Sequence, residues 1–257
     1  MQTGTARATG ALPGLLIIGA QKAGTTSMLR YLVEHPAITA SWLKEVHFFD
    51  DHFDKGESWY RTQFGAPERG RLFLEASPYY LFHPLAPRRA VSVVPEAKLL
   101  VMLREPVARA FSHYRHEVSK GREPLSFEDA IASEATRLAD SDGQLARGEV
   151  AISFHHRHFS YVRRGLYADQ ISRWLDHFPK SSVLFVKAED MFAAPQQAAD
   201  RVWSFLGFSS VTLPQPKQWH QRGGEGISDS SRERLANLYA EPNARLERMT
   251  GISWRPA

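Results

Sequence analysis

Short apolar runs alternate along this chain with longer stretches in which apolar residues recur every third or fourth position. Runs of the first kind at 15–18 (LLII), 71–75 (RLFLE), 98–103 (KLLVML) and 182–187 (SVLFVK) predict buried strands. Between them the helical period predicts a helix over 25–34 that stops before Pro36. Another runs over 106–120, opened by Pro106 and closed at Gly121. Ser126, with an acid three residues on, opens a helix over 126–138. Residues 166–178 carry Ile171, Trp174, Leu175 and Phe178 on one side. Helices over 195–206, ending at Gly207, and 230–249, weakened by Pro242, complete the pattern.

Strands alternating with helices predict an α/β fold: a three-layer sandwich with a central parallel sheet and helices on both faces. Nothing reads as a linker, so 14–257 is expected to be one domain, with 1–13 (MQTGTARATGALP) a disordered leader. Ligands of such sheets gather at the C-terminal ends of the strands. The residues after Ile18, Glu75, Leu103 and Lys187 should therefore converge on one crevice.

The segment after the first strand, GAQKAGTT (19–26), has the glycine spacing of a phosphate-binding loop, G-x-x-x-x-G-K-[ST]. Thr25 stands where the lysine belongs, and Lys22 lies inside the turn instead. The N–H groups of Ala23, Gly24, Thr25 and Thr26 are expected to cradle an anion, with hydroxyls from Thr25, Thr26 and Ser27. The alternative is a tight structural turn. No apolar run ends in a clear Mg²⁺-binding aspartate. Arg104 directly follows the strand at 98–103, and Ser112 lies about two turns into the next helix, which suits a second phosphate. The competing reading pairs Arg104 with Glu105. In KEVHFFD (44–50), Glu45 and His47 stand beside Phe48 and Phe49. A carboxylate against apolar rings has its pKa raised towards that of a useful base. The alternative is a charged loop anchored by the two rings.

Composition narrows the chemistry. A net charge of +4 and a pI near 9.4 fit a mildly basic surface or an anionic ligand. The absence of cysteine excludes disulfides, a thiol nucleophile and cysteine-type zinc sites. His155-His156-Arg157-His158 is the densest histidine group. It reads as a polar loop or acidic-ligand surface rather than a metal centre, and no metal is expected. No basic–aromatic ridge points to nucleic acid. No apolar run approaches the ~20 residues of a membrane span. With no signal-peptide pattern, a cytoplasmic location is expected.

Four stretches together, GAQKAGTTSMLRYLVEHP, KEVHFFD, LEASPYYLF and LLVMLREPVARAFSHY, resemble the sulfotransferases that use 3′-phosphoadenosine 5′-phosphosulfate. The similarity is greatest to the heparan sulfate 3-O- and N-sulfotransferase branch and its bacterial relatives, and runs from Leu15 to about Trp254. It implies that the loop at 22–27 holds the 5′-phosphate and that Lys22 contacts the oxygen bridging phosphate to sulfate. It implies that Arg104 and Ser112 bind the 3′-phosphate and that no metal is needed. By the same resemblance Glu45 is the base, His47 assists it, and Tyr167 lines the nucleotide site. Arg222 and Gly223, in a basic glycine-rich loop, are expected to close over the 3′-phosphate. Two departures bear on the acceptor. The 3-O-sulfating relatives carry a lysine where this chain has Ala76, and the branch often has a cysteine-bonded loop near 222. Glu75 is then a candidate for acceptor contact or a second base, Tyr79 for acceptor contact, and 121–160 for part of the acceptor wall. A carbohydrate hydroxyl is the expected acceptor, with a lipid or small natural product next. The alternatives are a P-loop kinase or NTPase, which leaves Lys22 unexplained, and a nucleotide-binding module without catalysis.

Overall fold

The computed structural model describes residues 9–214 and 226–254. Five parallel strands form its sheet: β1 Leu15–Gly19, β2 Ile38–Ala40, β3 Leu72–Ala76, β4 Lys98–Leu103 and β5 Val183–Lys187, in the order β2-β3-β1-β4-β5. β1 is central and every residue of it is buried, as expected of an unbroken apolar strand covered on both faces. Leu16 pairs with Glu75 on one side and Leu99 on the other.

The helices are α1 Thr25–Leu32, α2 Gly56–Arg61, α3 Ala86–Val93, α4 Pro106–Ser119, α5 Phe127–Arg137, α6 Ser141–Arg147, α7 Phe154–His158, α8 Tyr167–Leu175, α9 Ala188–Ala193, α10 Pro195–Leu206 and α11 Asp229–Thr250. The four expected strands and six expected helices are all present, with ends shifted by a few residues. β2, an edge strand of three residues, was not expected. Pro242 sits inside α11 without ending it. Around the sheet a continuous core runs from Leu15 and Met28 through Phe48, Tyr60 and Leu100 to Trp174 and Trp203. A second cluster, including Val107, Phe127, Tyr161 and Tyr239, fastens α4, α5 and α11 together.

Topology fixes the site. β3, β1 and β4 lie side by side, so the segments after Ala76, Gly19 and Leu103 emerge at the same sheet edge. The pairing of β1 with β4 shifts register between Ile17 and Gly19, and Ala20 N–H then donates to the Met102 carbonyl at 2.6 Å. On the other flank Leu81 N–H donates to the Ile18 carbonyl at 2.8 Å. The loop leaving β1 is thereby held between the β4–α4 junction and the turn after β3.

Candidate functional site

The loop after β1 presents an unsatisfied helix start. Gly24, the N-cap of α1, has φ 84°, and a Cβ there would meet Met191 Cε at 2.6 Å; only glycine fits. α1 has no capping side chain and no acid in its first turn. Ser27 and Met28 donate back to Gly24. Among the described residues the N–H groups of Gly24, Thr25 and Thr26 have no carbonyl partner, the arrangement that binds an anion. Ala23, expected to join them, instead closes the turn by donating to Ala20 at 3.1 Å. Thr25 is buried, while Thr26 and Ser27 are half-buried.

Lys22 has φ 73°. Burial, and next the charge of Arg104, push its ammonium below its ordinary value; Glu117 and Glu45 act the other way. Lys22 therefore lies in the field of Arg104 and of Glu45 at once.

Arg104 follows β4 and is gripped along its backbone. Its carbonyl accepts from the Tyr167 hydroxyl at 2.9 Å, and the next N–H, of Glu105, donates to Glu189 at 2.9 Å. The Arg104 guanidinium donates to the Lys22 carbonyl at 3.2 Å. The pairing of Arg104 with Glu105 does not form, because the Glu105 carboxylate caps α4 by accepting from Val107 and Ala108 at 2.9 and 2.6 Å. Neither Lys22 nor Arg104 has a carboxylate within ion-pair distance among the described residues. Ser112 is half-buried on α4, and its hydroxyl has no hydrogen bond among the described residues.

The expected base, Glu45, stands in the loop at 44–51. Glu45 and His47 both have positive φ, 62° and 54°. His47 Nδ1 donates to Asp50 Oδ2 at 2.7 Å, and its Nε2 lies 3.1 Å from Glu45 Oε2. Burial pushes the imidazole pKa down, but the hydrogen bonds to Asp50 and Glu45 outweigh it and carry it to about 9. Burial alone would raise the Glu45 pKa, as the neighbouring rings suggested. The hydrogen bond and charge of His47, with help from Lys44 at 3.5 Å, win and lower it. Glu45 is thus a half-exposed carboxylate whose ionised form is favoured by His47.

The residues expected on the acceptor side divide. Glu75 does not reach the crevice. It is fully buried and accepts from Ser77 at 2.7 Å, from Tyr80 at 2.6 Å and from the Tyr60 hydroxyl. The expectation of an acceptor contact is corrected: this carboxyl ties the turn after β3 to α2. Ser77 also accepts the His47 N–H at 3.1 Å, so Glu75 is linked through Ser77 to the loop at 44–51. Tyr79 is 5% exposed, and its hydroxyl meets His156 Nδ1 at 2.6 Å. Tyr167 is buried and acts on Arg104 through the backbone. Arg222 and Gly223 lie outside the described residues. Residues 121–160 carry α5, α6 and α7 joined by turns, and Arg157 of α7 reaches the loop at 44–51. Of the α7 histidine group, His156 is buried and bonded to Tyr79 and Asp142.

Two residues of this cluster do not appear among the sequence candidates. Asp50 was visible in KEVHFFD three residues after His47, and that spacing was the readable signal for a partner of Nδ1. Arg157 was not readable: it pairs with Asp51 and brings Nη2 within 2.9 Å of His47 Nε2, across 110 residues of chain. His47, Asp50 and Asp51 are close enough to form a cation site, and the Arg157 guanidinium supplies the positive charge there.

Comparison with known proteins identifies the family and the fold. The profile of the sulfotransferase domain family matches residues 12–222. Heparan sulfate glucosamine 3-O-sulfotransferase 6 of Mus musculus is 35% identical over 205 residues, 77% of this chain and 53% of the relative. Bifunctional heparan sulfate N-deacetylase/N-sulfotransferase 1 of Mus musculus is 31% identical, over 77% of this chain and 22% of the relative. The chain spans about half the length of the 3-O-sulfotransferases it matches. Among solved structures, a sulfotransferase from Alicyclobacillus acidocaldarius superposes with a TM-score of 0.77 at 32% identity, covering 95% of this chain and 98% of that one.

Proposed function

The chain belongs to the sulfotransferase domain family, and we propose from this that it moves a sulfuryl group from 3′-phosphoadenosine 5′-phosphosulfate to a carbohydrate hydroxyl. The observation that carries the reading is the contrast of charge across the crevice. Lys22 and Arg104 have no counter-ion of their own among the described residues, while Glu45 is held as an anion opposite them.

The donor supplies the sulfuryl group and a leaving oxygen on phosphate. The N–H groups of Gly24, Thr25 and Thr26, with the hydroxyls of Thr26 and Ser27, would hold the 5′-phosphate. Lys22 would neutralise charge arising on the leaving oxygen. Arg104 and Ser112 would hold the 3′-phosphate, with Tyr167 setting Arg104 and with Arg222 and Gly223 added from outside the described residues. Glu45 takes the acceptor proton as the new S–O bond forms and the old one breaks. His47, clamped by Asp50, keeps Glu45 ionised and aimed. The protein's share is positioning and electrostatics, as in phosphoryl transfer, and no metal enters this scheme.

We read residues 14–257 as one such domain. Among the described residues no helix is long and apolar enough to cross a membrane. A cytoplasmic, bacterial enzyme is our reading, and the likeness to the Alicyclobacillus acidocaldarius sulfotransferase over 95% of this chain supports its bacterial part. A lipid or small natural product is the second reading for the acceptor. It is favoured by Ala76, which leaves out a cation, and by Trp42 and Leu43, 69% and 51% exposed next to Lys44 and Glu45 in the chain.

The deciding experiment is calorimetric titration with adenosine 3′,5′-bisphosphate in EDTA, against ADP and against ATP with Mg²⁺. Metal-independent binding that requires the 3′-phosphate is expected. Preference for ATP with Mg²⁺ would return the loop to the kinases.

A further inference from the structure

Arg164 is a buried charge without a counter-ion among the described residues. It stands in the 3-10 turn Arg163–Gly165, is 3% exposed, and has no carboxylate within ion-pair distance among the described residues. Its four hydrogen bonds all go to neutral acceptors. Nε donates to Ser160 Oγ at 2.7 Å, Nη1 to Gln21 Oε1, and Nη2 to the carbonyls of His156 and Arg157 at 3.2 and 2.6 Å. The guanidinium also lies over the rings of Tyr79 and Phe82, 4.7 and 5.2 Å from their centroids. Enclosing an arginine without an anion is costly, and burial pushes its pKa down to about 10. A neutral residue would pack this place at less cost, so the position of the fork calls for a reason.

The reason lies in what it joins. Gln21 precedes Lys22 in the donor loop. Arg157 is the residue whose guanidinium reaches His47 and Asp51. One planar group therefore holds the turn that carries the leaving-group lysine and the helix end that touches the base's partner. Lysine could not do both, since a single ammonium cannot span acceptors on four residues.

We propose that Arg164 is a positioning residue that keeps the donor loop and the base loop in one register, through Gln21 on one side and the Arg157 carbonyl on the other. The proposal rests on the sulfotransferase reading for its meaning, but one of its two readouts does not.

The first readout is affinity for adenosine 3′,5′-bisphosphate. The second is the titration of His47, followed by NMR on protein with labelled histidine and assigned with His47→Gln. His47 is faced by Glu45, Asp50 and Arg157, with Asp51 behind Arg157 and Lys44 behind Glu45. The charge of Arg157 opposes protonation of the imidazole, so releasing Arg157 must move the titration upward.

In Arg164→Lys, bisphosphate binding is expected to weaken about 10-fold, the size of a typical coupling between sites, and His47 to titrate higher than in the wild type. Gln21→Leu cuts only the loop end; it should weaken binding and leave His47 in place. Ser160→Ala frees one donor without removing the charge. It should move both readouts in the same direction by less, and it keeps the test open if Arg164→Lys does not fold. Unchanged affinity and an unmoved His47 in Arg164→Lys would overturn the proposal whatever the melting temperature does. Movement of only one readout would also overturn it, because coupling needs both ends. If the wild type does not bind the bisphosphate, the functional reading fails, and the His47 titration still decides whether Arg164 sets Arg157.

Discussion

The guanidinium of Arg104 donates to the carbonyl oxygen of Lys22 at 3.2 Å, so the cation proposed for the 3′-phosphate also braces the turn that carries the cation proposed for the leaving oxygen. Removing Arg104 should therefore do more than weaken binding. Arg104→Ala is expected to lower kcat and raise KM for the donor, with a combined loss in kcat/KM of about 100-fold, as for a charged hydrogen bond. A double-mutant cycle with Lys22→Ala should give a combined loss smaller than the sum of the two. Additive losses would mean that the brace has no kinetic role.

Glu45→Gln keeps the size of the side chain and removes its basicity. Turnover should fall by about 10²–10⁴-fold, the range for loss of a general base, while affinity for adenosine 3′,5′-bisphosphate stays as in the wild type. The pair of measurements, single-turnover rate and calorimetry, separates chemistry from folding. Surviving turnover would remove Glu45 from the role of base.

His47 links activity and stability to pH in opposite parts of the scale. It lowers the Glu45 pKa, so in His47→Ala the acid limb of kcat/KM should move to higher pH. The folded-state pKa of His47 is raised to about 9. The stability this brings is fully present below the ordinary histidine range and is lost as pH rises through that value. Chemical denaturation of the wild type across that window should show the decline, and His47→Gln should flatten it.

Glu75, enclosed by three hydroxyls, should affect stability rather than acceptor affinity. Glu75→Gln turns an acceptor towards a donor in that shell and should cost about 1–3 kcal/mol, with KM for the acceptor unchanged. Its pKa is raised by burial, so the wild-type stability it brings is present at acid pH and lost as pH rises through the folded value. A large change in acceptor KM with no loss of stability would restore Glu75 to the crevice.

Local pattern carried most of the fold. The unbroken apolar strands, Pro106 and Gly207 all punctuate the chain where the structure does, because each acts through its immediate neighbours. β2 escaped notice because three edge residues after Pro36 carry no period. In the site, the glycine loop and the Glu45–His47 spacing were legible for the same local reason. What was not legible depends on distant partners. Glu75, at the end of an apolar strand, reads as crevice-facing, and only the packing of Tyr60 and Tyr80 shows that it is sealed. The sign of the Glu45 shift is not readable locally, because the rings show in the sequence and the hydrogen bond from His47 does not. Arg157 and Arg164 meet their partners across more than a hundred residues of chain.

Among the described residues, the non-glycine positions with left-handed backbone are Lys22, Glu45, His47 and Asp140. Three of these four carry the proposed chemistry. An L side chain in that region costs of order 1 kcal/mol or more, which glycine would relieve. At position 22, where burial already disfavours the ammonium and no carboxylate lies within ion-pair distance among the described residues, selection for heat resistance alone would thus favour glycine, and that step would raise the melting point while erasing turnover. The chain that survives selection for both must draw its stability from elsewhere, and the quickest route to a hardier variant of this protein is also the quickest route to an inactive one.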